Sequence, residues 1–245
     1  MRFALQLYTV RDHLEKNPAA TLEAVKAAGY DYVELAGTAG LSNAEYKALL
    51  DAVGLIPTSA HTGLPELLDN AGRVIEAAHT FGYRHIAFSH TAADARGWLE
   101  AARQADEAGA LLRRMGLQLC YHNHAHEYAL FDGRTAHDIL TENSDPANLA
   151  LELDVYWVRY AGMDPVEEIR RHSGRIPLLH VKDMTATEPH TFTEVGRGII
   201  DMPAVFDAAR EAGVEWYIVE QDECAGDSLD SARASAGYMK QFATA

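Results

Sequence analysis

Short runs of β-branched, aromatic and aliphatic residues alternate with longer amphipathic runs along the whole chain. This alternation constrains the fold most, because it is typical of βα units arranged around a parallel sheet. Eight runs predict strands: Phe3–Tyr8, Tyr32–Leu35, Ile56–Ala60, His85–Ser89, Gln118–His122, Ala150–Asp154, Pro177–Val181 and Trp216–Glu220. Helices are predicted at Ala19–Ala28, Asn43–Val53, Pro65–Phe81, Asp94–Met115, Thr135–Thr141, Pro165–His172, Met202–Ala212 and Ser228–Phe242.

Two folds of the α/β class accommodate this pattern. An open doubly wound sheet usually carries a glycine-rich phosphate turn after its first strand, and the segment Tyr8-Thr9-Val10-Arg11-Asp12 contains no glycine. A closed barrel takes about 250 residues, and this chain has 245. We therefore predict that residues 1–245 form one domain, a single (β/α)8 TIM barrel.

Composition excludes several classes of partner. The 36 acidic residues outnumber the 21 basic ones and give a net charge of −15, which would repel a nucleic-acid backbone. No apolar run approaches the ~20 residues that cross a bilayer, and the N-terminus lacks a signal-peptide core. We expect a cytoplasmic protein with a small-molecule substrate, no nucleic acid and no membrane. The oligomeric state stays open, and a homo-oligomer is compatible with the sequence.

Polar residues stand at the end of every predicted strand. Barrel enzymes place their chemistry at this carboxyl end, where the chain has Gln6, Tyr8, Glu34, His61, Ser89, His90, His122, Asn123, His124, Asp154, His180 and Glu220. Each alone has an ordinary explanation: Asp154 could cap a turn, and Glu34 could pair with Arg11. Together they predict one shared site, because buried polar groups without partners are destabilising.

The residue types at these strand ends suit a divalent metal. Imidazoles and carboxylates from different strands can hold a six-coordinate ion that keeps positions open for substrate oxygens. The two cysteines, Cys120 and Cys224, have no spacing typical of a structural zinc site. We expect Mn, Mg, Co or Zn, with manganese favoured.

Several segments resemble a known family. They are CYHNHAHEY (120–128), LELDVYWV (151–158), LLHVKDM (178–184), EVGRGIID (194–201) and YIVEQDE (217–223). These resemble the sugar phosphate isomerases/epimerases of the xylose isomerase-like TIM barrel superfamily, over the whole chain. The His-Val-Lys-Asp and Gly-x-Gly-x-x-Asp pieces are the most specific. The resemblance implies a metal-dependent isomerase or epimerase that acts on a sugar or keto-sugar through an enediolate.

The resemblance also implies a ligand set. Such enzymes take four metal ligands from strands five to eight, and Asp154, His180 and Glu220 match the last three. The first ligand is usually a glutamate, and this chain has His122 there. That departure removes one of the two carboxylates that a symmetric 3-epimerase needs on opposite faces of its substrate. It favours an aldose–ketose isomerase or a lyase.

Further roles follow from the same resemblance. Glu220 is the expected general base, and Glu34 and His61 relay the proton or orient the substrate. Lys182 would stabilise developing negative charge, or else form an ion pair with Asp183 or Glu194. Predicted substrate-binding residues are Tyr8, His124, Glu127, Trp157 and Arg197.

Three of these residues carry specific expectations. Trp157 would form an aromatic floor for a sugar ring. Glu127 could supply a second carboxylate if its loop folds over the barrel mouth. Because Arg197 is the one basic residue placed to hold a phosphate, we expect an unphosphorylated substrate.

Three other functions fit parts of the pattern. A lyase acting on a keto-sugar or keto-inositol, such as an inosose dehydratase or an enzyme that processes 3-keto-glycosides, would use the same enolate. A metal-free sugar-binding barrel would need none of the chemistry. The superfamily also contains a DNA-repair endonuclease, which the net charge of −15 disfavours.

Overall fold

Eight parallel strands close into a barrel in the computed structural model, which describes residues 1–243. Each strand pairs with its neighbours in chain order, and the last pairs with the first. The predicted (β/α)8 TIM barrel is therefore confirmed. The strands are β1 (Phe3–Gln6), β2 (Tyr32–Leu35), β3 (Ile56–His61), β4 (His85–Phe88), β5 (Gln118–His122), β6 (Leu149–Asp154), β7 (Leu178–Val181) and β8 (Trp216–Val219).

Helices surround the barrel. They are α1 (Arg11–Leu14), α2 (Pro18–Ala28), α3 (Asn43–Val53), α4 (Leu64–Asp69), α5 (Ala71–Phe81), α6 (Ala95–Arg114), α7 (Ala136–Glu142), α8 (Val155–Tyr160), α9 (Pro165–Arg171), α10 (Met202–Glu211) and α11 (Ser228–Met239). Within residues 1–243, none is long and apolar enough to cross a membrane.

Two helical predictions need correction. The single helix predicted at Pro65–Phe81 is two helices, because the backbone of Asn70 leaves the helical region at φ −135° and ψ 34°. The sequence analysis also missed α8, which begins directly after β6. Asp154 is its N-cap and accepts a hydrogen bond from the Trp157 backbone N–H, so this residue caps a helix as well as ending a strand.

Local signals fix most helix ends. Ser42 and Glu45 form a reciprocal capping box at the start of α3, which satisfies two backbone donors that would otherwise have no partner. Gly29 ends α2 with φ 105°, a left-handed conformation that glycine adopts without a steric penalty. This glycine turn lets β2 begin at Tyr32, three residues after Gly29.

Side chains inside the barrel form an apolar layer with a polar layer above it. Alternate residues of a strand point to the same face, so Leu178, His180 and Lys182 continue one line towards the carboxyl end. The apolar layer is a separate buried cluster that comprises Ala4, Ala87, Cys120, Ala150, Leu178, Trp216 and Ile218. It fills the amino-terminal half of the barrel. The polar layer therefore opens only towards the carboxyl-terminal mouth.

Two short hairpins lie in loops after strands. Asp183–Met184 pairs antiparallel with Phe192–Thr193 just after β7, and Leu130–Phe131 pairs with Arg134–Thr135 after β5. Phe192 stacks on Tyr156 with ring centroids 4.2 Å apart. The first hairpin thus packs against α8, which follows β6.

Gly109 provides a test of the packing between α6 and the barrel. A Cβ at this position would lie 2.1 Å from the backbone oxygen of Asn148, and backbone yields less readily than a flexible side chain. We expect Gly109→Ala to lower the free energy of unfolding by about 1–3 kcal/mol, as overpacking does, measured by urea denaturation. The matched control is Gly72→Ala in α5, where nothing lies within 4 Å, and which should be neutral or stabilising. Equal stability of the two variants would contradict this packing.

Candidate active site

Five charged or titratable side chains form a buried network in the polar layer. His61 lies 2.6 Å from Glu152 and 3.2 Å from Glu34, through its Nε2. His180 Nε2 lies 2.8 Å from Glu34 and 3.3 Å from Glu152. His122 Nδ1 lies 3.0 Å from Glu152, without the alignment of a hydrogen bond. We call these residues, Glu34, His61, His122, Glu152 and His180, the inner group.

A second set of charges lies above the inner group, nearer the mouth. Lys182 Nζ lies 2.7 Å from Glu220 Oε2, 2.7 Å from Asp222 Oδ1 and 3.0 Å from Asp154 Oδ2. Glu220 Oε2 also accepts from His180 Nδ1 at 2.9 Å. We call Asp154, Lys182, Glu220 and Asp222 the mouth group. His180 joins the two groups because each of its ring nitrogens contacts a different one.

Strand register and one side chain place these residues. Asp154 is paired with His180 and Glu152 with His122 across neighbouring strands. Asn123 accepts a hydrogen bond from the Asp154 backbone N–H at 2.9 Å and donates to its carbonyl at 3.4 Å. Asn123, which lies between His122 and His124, therefore fixes the end of β6.

The donor set fits a divalent cation. His122, Asp154, His180 and Glu220 offer ligand atoms that all lie within 4.8 Å of one another, so the structure brings together the four predicted ligands. His122 Nε2 lies 3.9 Å and His180 Nδ1 lies 4.0 Å from Asp154 Oδ2. Imidazole and carboxylate together are common ligands of divalent transition metals.

A second ligand set overlaps the first. Its ligand atoms also lie within 4.8 Å of one another and belong to His61, His122, Glu152 and His180. In addition, one oxygen each of Glu34 and Glu152 has no hydrogen-bond partner among the described residues. His122 and His180 belong to both sets. The inner group therefore offers the ion a deeper position, or a shell of residues that orients its ligands.

Burial and neighbouring carboxylates set the protonation of the histidines. Burial alone would lower the pKa of His61, but the Glu152 and Glu34 carboxylates raise it to about 10. Burial opposes the charge of His180 as well, yet Glu152, Glu34 and Glu220 raise its pKa well above the usual value. Burial and the neighbouring His180 lower the pKa of His122, so this imidazole is neutral and keeps a lone pair for a metal.

Burial and neighbouring charges also set the protonation of the mouth group. Burial raises the pKa of Asp154 to about 6, whereas Lys182 and His180 overcome burial and hold the pKa of Glu220 well below its usual range. Burial would lower the pKa of Lys182, but Asp154, Glu220 and Asp222 raise it well above its usual value. Near neutral pH, Glu220 is thus a carboxylate beside an ammonium.

A cavity of about 290 Å³ opens above these groups. Its lining residues are Gln6, Tyr8, Ala36, His61, Ser89, His122, His124, Trp157, Lys182, Glu220 and Asp222. Three predicted substrate-binding residues, Tyr8, His124 and Trp157, are among them. Lys182 is the only lysine or arginine in the part of this lining that the structure describes.

The two other predicted substrate-binding residues lie outside the cavity. Glu127 is fully buried, and its oxygens accept from the Tyr121 hydroxyl at 2.7 Å and the His124 backbone N–H at 2.9 Å. Its loop does not present it as a second carboxylate at the mouth. Arg197 is 63% exposed and pairs with Glu194 at 3.2 Å.

The ion pairs named as alternative roles for Lys182 and Glu34 are not formed. Lys182 contacts the mouth group rather than Asp183 or Glu194, because alternation along the strand turns it inwards. Glu34 contacts His61 and His180 and accepts from Gln6 at 2.7 Å, whereas Arg11 donates to the backbone oxygens of Tyr8 and Asp222.

The sequence analysis missed Glu152 and Asp222. Glu152 stands two residues before Asp154, so strand alternation gives both residues the same inward face, and this signal could have identified it. Asp222 lies in the loop after β8, and no periodicity predicts that its side chain turns back to Lys182.

The contacts of Asp183 link the His-Val-Lys-Asp motif to the Gly-x-Gly-x-x-Asp motif. Its carboxylate accepts from the backbone N–H groups of Gly196 and Gly198 at 2.9 Å, of Ile200 at 3.2 Å and of its neighbour Met184 at 2.8 Å. A Cβ on Gly198 would lie 2.2 Å from Asp183 Oδ1, so only glycine allows this approach. We call this arrangement the Asp183 clamp, which ties β7 to the following loop.

The clamp predicts a stability effect. We expect Asp183→Asn to lower the free energy of unfolding by about 2–5 kcal/mol, because hydrogen bonds to a charged acceptor contribute ~1.5–3 kcal/mol each. In addition, the NH2 group of the new amide would point at backbone N–H groups, which cannot accept a hydrogen bond from it. Chemical denaturation measures it. The control Asp207→Asn changes an exposed residue that pairs with Arg210 and should alter stability by less than about 0.5 kcal/mol. A wild-type unfolding curve for Asp183→Asn would refute the clamp.

Comparison with solved structures supports the fold over its full length. A sugar phosphate isomerase/epimerase from Parabacteroides distasonis superposes with a TM-score of 0.87 at 22% identity, covering 98% of this chain and 93% of that one. The IOLI protein, whose crystal structure holds a zinc atom, superposes with a TM-score of 0.76 at 16% identity, covering 98% and 97%. At these identities the likeness concerns the fold alone.

Sequence comparison identifies relatives and the family. The inosose dehydratase of Geobacillus thermodenitrificans is 27% identical over 154 residues, which are 54% of this chain and 50% of the relative. This chain thus spans about half the length of the curated relatives that it matches. The sequence pattern of one family matches residues 22–242. The chain belongs to the xylose isomerase-like TIM barrel family.

Proposed function

We propose that this protein is a metal-dependent enzyme that removes a proton next to the carbonyl of an uncharged keto-sugar or keto-cyclitol. The carrying observation is the mouth group above His122 and His180, where carboxylates, neutral and protonated imidazoles and one ammonium meet at a cavity. A site that merely binds sugar needs no such set of buried charges, because desolvating them is unfavourable.

Charge balance supports a divalent ion. Five carboxylates, those of Glu34, Glu152, Asp154, Glu220 and Asp222, face three cations, those of His61, His180 and Lys182. When all are ionised, two negative charges remain. A divalent cation reduces this excess even after it displaces the His180 proton.

His122, Asp154, His180 and Glu220 would hold the ion. The bound zinc of the IOLI protein is consistent with a divalent metal, and manganese is our first candidate because two of the four ligands are carboxylates. When bound, the ion supplies Lewis acidity that stabilises negative charge on substrate oxygens.

Glu220 is the proposed general base. Its contacts with His180 and Lys182 both use Oε2, which leaves Oε1 to take the proton. Against burial, the Lys182 ammonium 2.7 Å away is the first of the groups that hold the pKa of Glu220 well below its usual range, and this contact does not depend on the His180 proton. A positioned carboxylate of this kind contributes on the order of 10²–10⁴-fold to the rate.

The other lining residues would bind and polarise the substrate. Lys182 can stabilise the negative charge that develops on an oxygen when the proton leaves. Trp157 offers a ring face near the Lys182 ammonium, which lies 5.8 Å from its centroid. Burial lowers the pKa of His124 to about 4, so its neutral imidazole can accept or donate a hydrogen bond. His61 and Glu34 would orient these groups from below.

The cavity favours an uncharged ligand of modest size. Its volume of about 290 Å³ lies near the lower end of the ~300–1,000 Å³ usual for small-molecule pockets. The only ammonium there already contacts three carboxylates, so little positive charge remains for a phosphate. An adjoining groove that shares Ser89, His124 and Trp157 gives room for a substituent on the sugar.

Loss of water or another leaving group is the second candidate outcome. By the sequence resemblance, His122 stands where a symmetric 3-epimerase has a carboxylate, and Glu127 is buried outside the cavity lining. With Glu220 as the base, proton removal followed by expulsion of a neighbouring group needs a proton donor, and Lys182 and Asp222 both line the cavity. The inosose dehydratases among the relatives favour the same outcome.

Substitution of the base tests the proposed chemistry. We expect Glu220→Gln to reduce kcat on an accepted keto-sugar or keto-cyclitol at least about 10²-fold, because the amide cannot take a proton. Steady-state assays over a substrate panel and circular dichroism measure activity and folding. Glu223→Gln, in the same loop, is the control and should retain activity. Near-normal turnover by Glu220→Gln, or purified protein that binds no divalent metal, would defeat the proposal.

Solvent isotope labelling separates the outcomes. In ²H₂O, we expect label at the carbon next to the carbonyl, together with an isomer or a dehydrated product identified by NMR. Elimination predicts a product lighter by the mass of the leaving group, whereas isomerisation predicts an equal mass apart from the label. Rapid interconversion of C3 epimers with label at C3 would show that two bases operate on opposite faces, against the role given to His122.

A further inference from the structure

A second cluster of metal-binding residues lies outside the barrel mouth. His137, in the first turn of α7, meets Glu168 of α9 and His172 at the end of that helix. Their ligand atoms lie within 4.8 Å of one another. None of the three lines the cavity above the mouth group.

The cluster contains buried polar atoms that lack partners. His137 is 1% exposed and Glu168 is 3% exposed. Both ring nitrogens of His137, Glu168 Oε2 and His172 Nε2 are buried and make no hydrogen bond with any residue that the structure describes. Leaving one such atom unsatisfied costs about 1–3 kcal/mol. One unpartnered atom from each residue, all within 4.8 Å of one another, indicates a ligand between them.

The distances suit a metal better than direct hydrogen bonds. Glu168 Oε2 lies 3.9 Å from His137 Nδ1 and 3.6 Å from His172 Nε2, and both separations exceed hydrogen-bond length. A tetrahedral zinc ion with bonds of ~2.0–2.2 Å places neighbouring ligand atoms about 3.3–3.6 Å apart. Small side-chain movements would close the remaining difference.

The helices are built to hold the three side chains in position. Glu168 and His172 are four residues apart, so they share one face of α9. Arg171 contacts the other oxygen of Glu168, Oε1, at 3.5 Å, which leaves Oε2 directed at the two imidazoles. Tyr128 stacks on His137 with centroids 5.4 Å apart, and its buried hydroxyl also has no partner within the described chain.

We propose that His137, Glu168 and His172 bind a second divalent cation, zinc, which links α7 to α9. Two imidazoles and one carboxylate are a zinc donor set, and water or the Tyr128 hydroxyl completes four-coordination. Because the site is buried between helices and separate from the cavity, its role is structural. The ion satisfies one unpartnered atom of each of the three residues and links two helices that follow β5 and β6 in the chain.

Anomalous scattering tests the site directly. Crystals of the full chain grown with zinc should give a peak at the zinc absorption edge between α7 and α9, in addition to any peak at the mouth. An ordered water, or empty density, between His137, Glu168 and His172 in such crystals would overturn the proposal.

Metal stoichiometry with matched variants provides an independent test. We expect His172→Gln to lose one zinc equivalent per chain relative to wild type by elemental analysis, and Asp154→Asn to lose only the mouth ion. His79→Gln, at an exposed position of α5, should retain the wild-type content. Unchanged zinc content in His172→Gln would refute the site whatever the fate of the mouth ion.

Thermal unfolding distinguishes binding from misfolding. Zinc should raise the Tm of Asp154→Asn, in which the α7–α9 site is intact, and this rise should be absent when His172→Gln is added. If His172→Gln does not fold, Glu168→Gln takes its place in both measurements. An equal rise of Tm with and without the His172 or Glu168 substitution would show that zinc acts elsewhere.

Discussion

The structure depends on mutual neutralisation of charges inside a closed barrel. Parallel strands direct every second side chain inwards, so carboxylates and imidazoles on several strands share a space that excludes most water. Each ionised group there is tolerated only because an opposite charge lies within about 3 Å, as His180 shows by contacting Glu34 through one nitrogen and Glu220 through the other. Removing one partner would strand the rest, because an unpaired buried charge is strongly destabilising.

The two groups of charged residues differ in position and in their contacts. In the inner group, His61 bridges Glu34 and Glu152, and these buried carboxylates contact His180 and His122. The mouth group touches the cavity, and Lys182 there keeps Glu220 ionised. Lys182 belongs to the same strand line as His180, so one strand supplies both a ligand and an ammonium. The charged residues of both groups lie on strands or directly after them, except that Asp222 lies further along the loop after β8.

The sequence predicted the barrel because its signals are local and repeated. Strand bounds agreed to within one or two residues, since glycine caps such as Gly29 and polar strand ends such as His61 mark each unit. Asp154, His180 and Glu220 were predictable for the same reason. Asp222, Glu127 and Arg197 were not, because loop conformation decides where their side chains point and no periodicity encodes it. The partners of Lys182 lie on other strands and loops, so its position beside Asp183 in the sequence does not reveal them.

The apolar layer that fills the amino-terminal half of the barrel has a consequence for traffic through the protein. Four residues of this layer are no more than 5% exposed: Ala4, Cys120, Ala150 and Leu178. The amino-terminal end of the barrel is therefore closed to solvent. A molecule that approaches His180 therefore comes from the carboxyl-terminal side, where Tyr8 and Trp157 line the cavity. Entry and exit share this end of the barrel, so a bound molecule blocks the next one until it leaves.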